Sequence, residues 1–100
     1  MINFKNIYSF EWDEFNQNKN WLKHQVHWVE CEEVFFNEPL LLYDDLKHSV
    51  EEKRFYVLGR TDNNRYVFIV FTIRNDKIRI ISARDMNKKE KMNYEKYSKI

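Results

Sequence analysis

The chain is 100 residues long, 33% charged and 17% aromatic, which amounts to one domain with more core material than a disordered protein carries. One glycine and one proline argue against a loop-rich architecture, the single Cys31 rules out an intrachain disulfide and a cysteine-built zinc site, and no run approaches the roughly 20 apolar residues of a membrane span. The net charge of +1 hides an asymmetry: residues 1–50 hold four Lys/Arg and nine Asp/Glu and residues 51–100 thirteen and seven, so the halves carry −5 and +6, with all six arginines in the second.

Along the chain, the start Met-Ile-Asn-Phe-Lys-Asn lacks a signal-peptide pattern, so a single domain over residues 1–100 in a reducing cytoplasm is expected. Residues 8–13 (Tyr-Ser-Phe-Glu-Trp-Asp) alternate aromatic and polar side chains as a short strand or extended entry would. Asp13 suits an N-cap, and from Glu14 to about Gln25 the residues Phe15, Trp21 and Leu22 fall near one helical face with Lys19 and Lys23 toward solvent. A second helix is expected over residues 28–36, where Val29, Cys31, Val34, Phe35 and Phe36 crowd one face and Glu30, Glu32 and Glu33 the other; Pro39 ends it. Trp12, Trp21 and Trp28 read as core, and Cys31 as an inert packed thiol.

Residues 40–43 are apolar and suit a short strand, and residues 44–52 a polar, mobile connection. Residues 54–60 (Arg-Phe-Tyr-Val-Leu-Gly-Arg) read as a strand with Phe55, Val57 and Gly59 on one face and Arg54, Tyr56, Leu58 and Arg60 on the other. The turn Thr61-Asp62-Asn63-Asn64 leads into residues 66–73, all β-branched or aromatic, as in a central strand covered on both sides. Arg74-Asn75-Asp76 turns the chain into residues 77–84 (Lys-Ile-Arg-Ile-Ile-Ser-Ala-Arg), and residues 87–97 form a weakly amphipathic helix around Met92, Tyr94 and Tyr97. The order β-α-α-β-β-β-α predicts an α+β domain with its helices packed on one face of an antiparallel sheet.

Several of these residues, in this order, carry a resemblance. Phe10-Glu11-Trp12-Asp13, Asn20 with Lys23-His24-x-Val26, Val34-Phe35, Pro39, Arg54-Phe55 with Leu58-Gly59, Ile78-Arg79-Ile80-Ile81-Ser82-Ala83-Arg84, Lys89-Glu90 and Tyr94-Glu95 are similar to the BrnT family over roughly residues 10–97. Gln25 departs from the glycine that usually follows Lys-His there. The resemblance implies a RelE-like fold, with two N-terminal helices on one face of an antiparallel sheet and a C-terminal helix. It also implies a toxin of a type II toxin–antitoxin system: a metal-independent endoribonuclease, with no cofactor, that blocks translation. The partner it implies is a BrnA antitoxin, whose ribbon-helix-helix domain binds operator DNA. A homodimer, or a heterotetramer with the antitoxin, is left open.

Cutting RNA without a metal requires a 2′-hydroxyl to be deprotonated, charge on the pentavalent phosphate to be neutralised and the leaving oxygen to be protonated. Arginine suits the second task because its fork donates two hydrogen bonds to phosphate. Arg84, closing a packed strand within the matched motif, is the first catalytic candidate; its plain alternative is an ion pair with Glu90 or Asp85. Arg54 and Arg60 flank Tyr56 on one strand face, as an RNA contact or a solvated sheet face would. Arg79 points away from Ile78 and Ile80, with RNA or solvent as its partner, and with Arg54 and Arg60 it joins Arg84 among the catalytic candidates. His24 beside Lys23 is a candidate base, with backbone satisfaction or phosphate docking as alternatives. Lys23, Tyr56, Arg74, Lys88 and Lys89 are the RNA-binding candidates, Arg74 also suiting a solvated turn. His24, His27 and His48 show no metal-ligand spacing. The rival to a ribonuclease is a module that binds nucleic acid, or controls transcription with an antitoxin, without cutting.

Overall fold

A two-residue turn at Asn75 and Asp76, both at positive φ (51° and 63°), joins the two longest strands. Two consecutive left-handed residues define the type I′ hairpin, whose twist matches that of the flanking strands, and Asn and Asp are the non-glycine residues that tolerate it best. The computed structural model describes residues 9–98. It runs β1 (Ser9–Phe10), α1 (Glu14–His24), α2 (Trp28–Phe36), β2 (Leu41–Asp44), β3 (Arg54–Arg60), β4 (Tyr66–Arg74), β5 (Lys77–Asp85) and α3 (Lys88–Ser98). Tyr8, read as part of the entry strand, lies outside the described residues. Arg74, expected in the turn, ends β4 opposite Lys77.

The sheet order is β1-β5-β4-β3-β2. The expected all-antiparallel sheet is instead mixed: β2 to β5 pair antiparallel, while β1 runs parallel to β5 with Ser9 opposite Lys77 and Phe10 opposite Ile78. Hairpin connections force antiparallel neighbours, but β1 reaches the sheet through two helices, and a long crossover permits a parallel pair. Residues 44–52, expected as a mobile connection, include the end of β2 and a single 3-10 turn at Leu46–His48. There Ser49 Oγ donates to the Asp45 carbonyl (2.6 Å) and accepts from the Arg54 amide (2.9 Å).

One face of the sheet presents Phe55, Val57, Val67, Ile69, Phe71, Ile78, Ile80 and Ala83, which join Val26, Cys31 and Val34 in the core. Gly59 lets α2 approach: a Cβ there would come within 2.5 Å of Val34 Cγ1. Burial pushes the Cys31 thiol up to about 12, so it is protonated at neutral pH and unreactive. The expected single helical face is not seen: α3 packs on the other face, because Tyr94 finds its ring partner Tyr66 there. Tyr94 is fully buried, its ring 5.1 Å from that of Tyr66, which lies opposite Arg60, and its hydroxyl donates to the Pro39 carbonyl (2.6 Å).

The first helix reverses its expected face. Phe15, Trp21 and Leu22 are 73%, 51% and 82% exposed, and Asn16 and Asn20 are buried. The cause is backbone chemistry at the edge of β5, where the two-residue β1 leaves donors and acceptors unpaired. Asn16 Nδ2 donates to the Ile80 carbonyl (3.3 Å), Lys19 Nζ to the Ile81 carbonyl (3.3 Å), and Asn20 Oδ1 accepts from the Ala83 amide (3.0 Å). Satisfying buried peptide groups outweighs burying the apolar face. Trp21, expected in the core, is therefore a half-exposed surface residue, and the predicted inward faces also lose Phe36 and part of Val29 to solvent.

Candidate nucleic-acid interface

A bulge in β5 assembles the candidate face. Val70 lies opposite Ser82 and Phe71 opposite Ile80, so Ile81 is the extra residue. Strict alternation puts Arg79 and Arg84 on opposite faces. The extra residue reverses the alternation, so that Ala83 joins Ile78 and Ile80 in the core while Arg84, opposite Phe68, shares a face with Arg79, opposite Thr72. Period two on β3 adds Arg54, Tyr56 and Arg60 to the same face.

Across that face runs a row of rings. Tyr43 on β2 stacks on Tyr56 at 4.8 Å between centroids, Tyr56 meets Phe68 at 5.3 Å, and the Arg84 guanidinium carbon lies 4.1 Å above the Phe68 ring. α3 roofs the row, leaving a cavity of about 530 Å³ between the rings and Lys89, Glu90, Asn93 and Lys96. Burial first, then Tyr43 and nearby carboxylates, pushes the Tyr56 phenol above its ordinary value, so it is a neutral hydrogen-bond donor at physiological pH.

Arg84 is engaged. Its two terminal nitrogens donate to the Glu90 oxygens at 2.8 and 3.0 Å, and one also donates to the Asp85 carbonyl at 3.1 Å. Glu90 in turn caps α3, accepting from the Asn87 amide (2.9 Å) while Asn87 Oδ1 accepts from the Glu90 amide (2.8 Å). Burial opposes ionisation of Glu90, but the bonds from Arg84 and Asn87 outweigh it and hold the carboxyl below its ordinary value.

The other candidates separate. Arg79 is mostly buried between Glu11 (3.0 Å) and Asp13 (2.8 Å), tying β5 to the N-cap of α1. Arg60 Nε donates to the Glu38 carbonyl (2.9 Å) beside Tyr94. Arg74 pairs with Glu52 (3.2 Å), and Arg54 Nε is buried without a partner. Lys88 and Lys89 open α3. Lys23 and His24 end α1, and Arg65 bridges the His24 carbonyl (3.5 Å) to Asp85, whose position opposite Val67 puts it on the core side of β5. Tyr56 lines the cavity and Arg84 supports its wall through Phe68 and Glu90, whereas His24 lies across β5 from it. Gln25 takes the left-handed position (φ 57°) that glycine would occupy at the end of α1.

Two residues acquire roles that pattern reading missed. Arg65 forks onto Asp85 (2.6 and 3.1 Å), reaches Glu30 (3.2 Å) and donates to the Gln25 carbonyl (2.8 Å) at the end of α1. A loop arginine gives no local signal of such bonds; the only hint is a helix end whose carbonyls need donors. His27 N-caps α2, accepting from the Val29 amide at Nδ1 (3.2 Å). Among the described residues no three His, Cys, Asp or Glu gather as a metal site, and no helix is long and apolar enough to cross a membrane.

A family described as "Ribonuclease toxin, BrnT, of type II toxin-antitoxin system" matches residues 12–90. The chain belongs to the BrnT family. No curated protein matches it. The BrnT match covers α1 through the first turn of α3, so the Arg84–Glu90 pair and the aromatic row fall inside it, while Asn93 and Lys96 on the cavity roof fall beyond it.

Proposed function

We propose that the chain is the toxin's endoribonuclease itself, with a RelE-like fold, cutting single-stranded RNA at the cavity between the aromatic row and α3 without a metal. The observation that carries this reading is a groove lined by stacked rings, a neutral phenol and two lysines, with Arg84 lying on the Phe68 ring and bonded to Glu90 in its wall. Rings accept unstacked bases and cations accept the backbone, the combination by which single strands are held. In the reaction the 2′-hydroxyl gives its proton to a base and its oxygen attacks phosphorus, the bond to the 5′-oxygen breaks as that oxygen takes up a proton from the protonated base or from water, and a 2′,3′-cyclic phosphate and a 5′-hydroxyl result. Arg84 stabilises the charge that builds on the phosphate.

Glu90 is the one carboxylate among the described residues lining the cavity, and it is ionised at neutral pH, so it takes the 2′-hydroxyl proton in this reading. His24, across β5, is the competing assignment. In the cell such cleavage would block translation and arrest growth, and a BrnA-type ribbon-helix-helix antitoxin would neutralise it in the cytoplasm.

Incubating the purified protein with RNA in excess EDTA and analysing the new ends tests the reading directly. Fragments ending in 2′,3′-cyclic phosphate are expected. Binding without cleavage would instead identify a nucleic-acid-binding module, and cleavage abolished by EDTA would make the enzyme metal-dependent.

A further inference from the structure

Arg54 presents a buried donor with nothing to bond. Its backbone is tied, the amide to Ser49 Oγ (2.9 Å) and the carbonyl to the Asp45 amide (2.9 Å), yet its Nε is buried without a partner. Buried polar groups of folded proteins are almost always satisfied, and a charged one left alone is costly, so an orphan of this kind is either a defect or half of a binding site.

Its surroundings favour the second. The side chain lines a second cavity, of about 560 Å³, with Lys47, His48, Glu51, Glu52 and Arg74. Glu52 is engaged by Arg74 (3.2 Å), and His48 by Asp45 (3.1 Å), which does not line the cavity. Glu51 makes no ion pair with Arg54, and Lys47 makes none at all among the described residues. The three cations against two carboxylates leave the cavity net positive. Arg54 is also two residues from Tyr56 on the same face of β3, about 7 Å along the strand, so this cavity continues the face on which the aromatic row lies.

We propose that this cavity is a phosphate subsite, in which Arg54, helped by Lys47, holds a backbone phosphodiester of the RNA strand beyond the nucleotide bound at the aromatic row. The inference rests on the RNA reading above and adds an anchor separate from the Arg84 position. A guanidinium kept unpaired in the free protein donates to phosphate without first giving up an internal bond, so the cost of the orphan is recovered on binding.

The test uses a labelled 2′-O-methyl oligoribonucleotide, which cannot undergo 2′-hydroxyl attack, and follows its affinity over a range of salt concentrations. Each phosphate contact to a single strand contributes about 0.7 to the slope of log affinity against log salt. Arg54→Met keeps the stem and removes the guanidinium; it should weaken binding several-fold, reduce the slope by about 0.7 and leave the melting temperature no lower than wild type. Lys47→Ala, on the exposed turn, should reduce the slope in the same direction. Tyr56→Ala should weaken binding with the slope unchanged, because stacking releases no counterions. An unchanged slope in both cation variants would overturn the subsite while leaving the ribonuclease reading intact, and a lowered melting temperature for Arg54→Met with unchanged slope would make the arginine structural. Failure of the wild-type protein to bind the oligonucleotide at any salt would overturn both readings.

Discussion

Arg84 is held beside the cavity by Glu90, both terminal nitrogens donating to the carboxylate at 2.8 and 3.0 Å while the guanidinium lies on Phe68. The pair fixes the arginine on a rigid strand end but leaves fewer of its donors for substrate. Removing the group with Arg84→Ala is expected to lower cleavage by about 10²–10³, the usual effect of losing one oriented donor to a charged transition state. The domain should remain folded, since the guanidinium sits at the surface end of the strand, outside the core. Wild-type cleavage by the folded variant would remove Arg84 from the active site.

The identity of the base can be read from pH. If Glu90 takes the proton, its depressed pKa places the acidic limb of the rate profile below about pH 4.5, and the rate is flat from there to neutrality. Glu90→Gln should then cut the rate and abolish that limb, while His24→Gln leaves both unchanged. An acidic limb that is lost in His24→Gln and kept in Glu90→Gln would reverse the assignment.

The reversed face of α1 predicts an unusual stability pattern. Asn20→Ala leaves the buried Ala83 amide without its acceptor and should cost about 1–3 kcal/mol, whereas Leu22→Ser, at an exposed position, should stay within about 0.5 kcal/mol. Urea unfolding of the two variants gives the comparison, and a larger loss for Leu22→Ser would mean that α1 packs by its apolar face after all.

That reversal also marks the limit of what pattern could reveal. The strands were legible because residues 66–73 carry only β-branched and aromatic side chains and Asn75-Asp76 supplies turn chemistry, so β3 and α2 fall on their expected residues and β4 and β5 each extend one further. Helical periodicity assumes that apolar side chains point inward, and it takes no account of the unpaired edge of β5 that draws Asn16 and Asn20 instead. The bulge at Ile81 is equally silent: no residue type announces it, yet it alone puts Arg84 on the face of Tyr56. Single residues of the site, Tyr56, Arg84 and Lys89, could be singled out by chemistry, but the placing of Tyr56 and Lys89 on one cavity with Arg84 beside it, and the separation of His24 from it, are products of register.

Acid should loosen the fold through Asp85. The Arg65 fork holds its carboxyl below the ordinary value of 3.8, so the pair's contribution is complete above that value and is lost as pH falls through the depressed one. Arg65→Ala should therefore cost about 1 kcal/mol at neutral pH and distinctly less well below pH 3.8, where Asp85 is protonated and the bonds to the helix-end carbonyls of His24 and Gln25 remain. Denaturant unfolding at the two pH values checks the sign; an equal cost at both would show that Arg65 acts through the helix end alone.

The antitoxin should compete with RNA for α3 and the groove beneath it. α3 carries Lys88, Lys89, Lys91 and Lys96, with Met92 and Tyr97 59% and 51% exposed between and beside them, a surface that an antitoxin segment bearing acidic and apolar side chains would cover. RNA in the proposed mode needs Lys89 and Lys96 as well, so both ligands draw on one set of charges and occupancy by one excludes the other. Charge steering should make antitoxin association faster at low salt. Reversing Lys89 and Lys96 to Glu should weaken both RNA and antitoxin, whereas Leu22→Ser on the distant outer face of α1 should alter neither. Mixing toxin, antitoxin and the 2′-O-methyl oligonucleotide decides the matter: displacement of RNA by antitoxin is expected, and a ternary complex, or cleavage that continues in the presence of saturating antitoxin, would place the antitoxin elsewhere and make inhibition something other than competition.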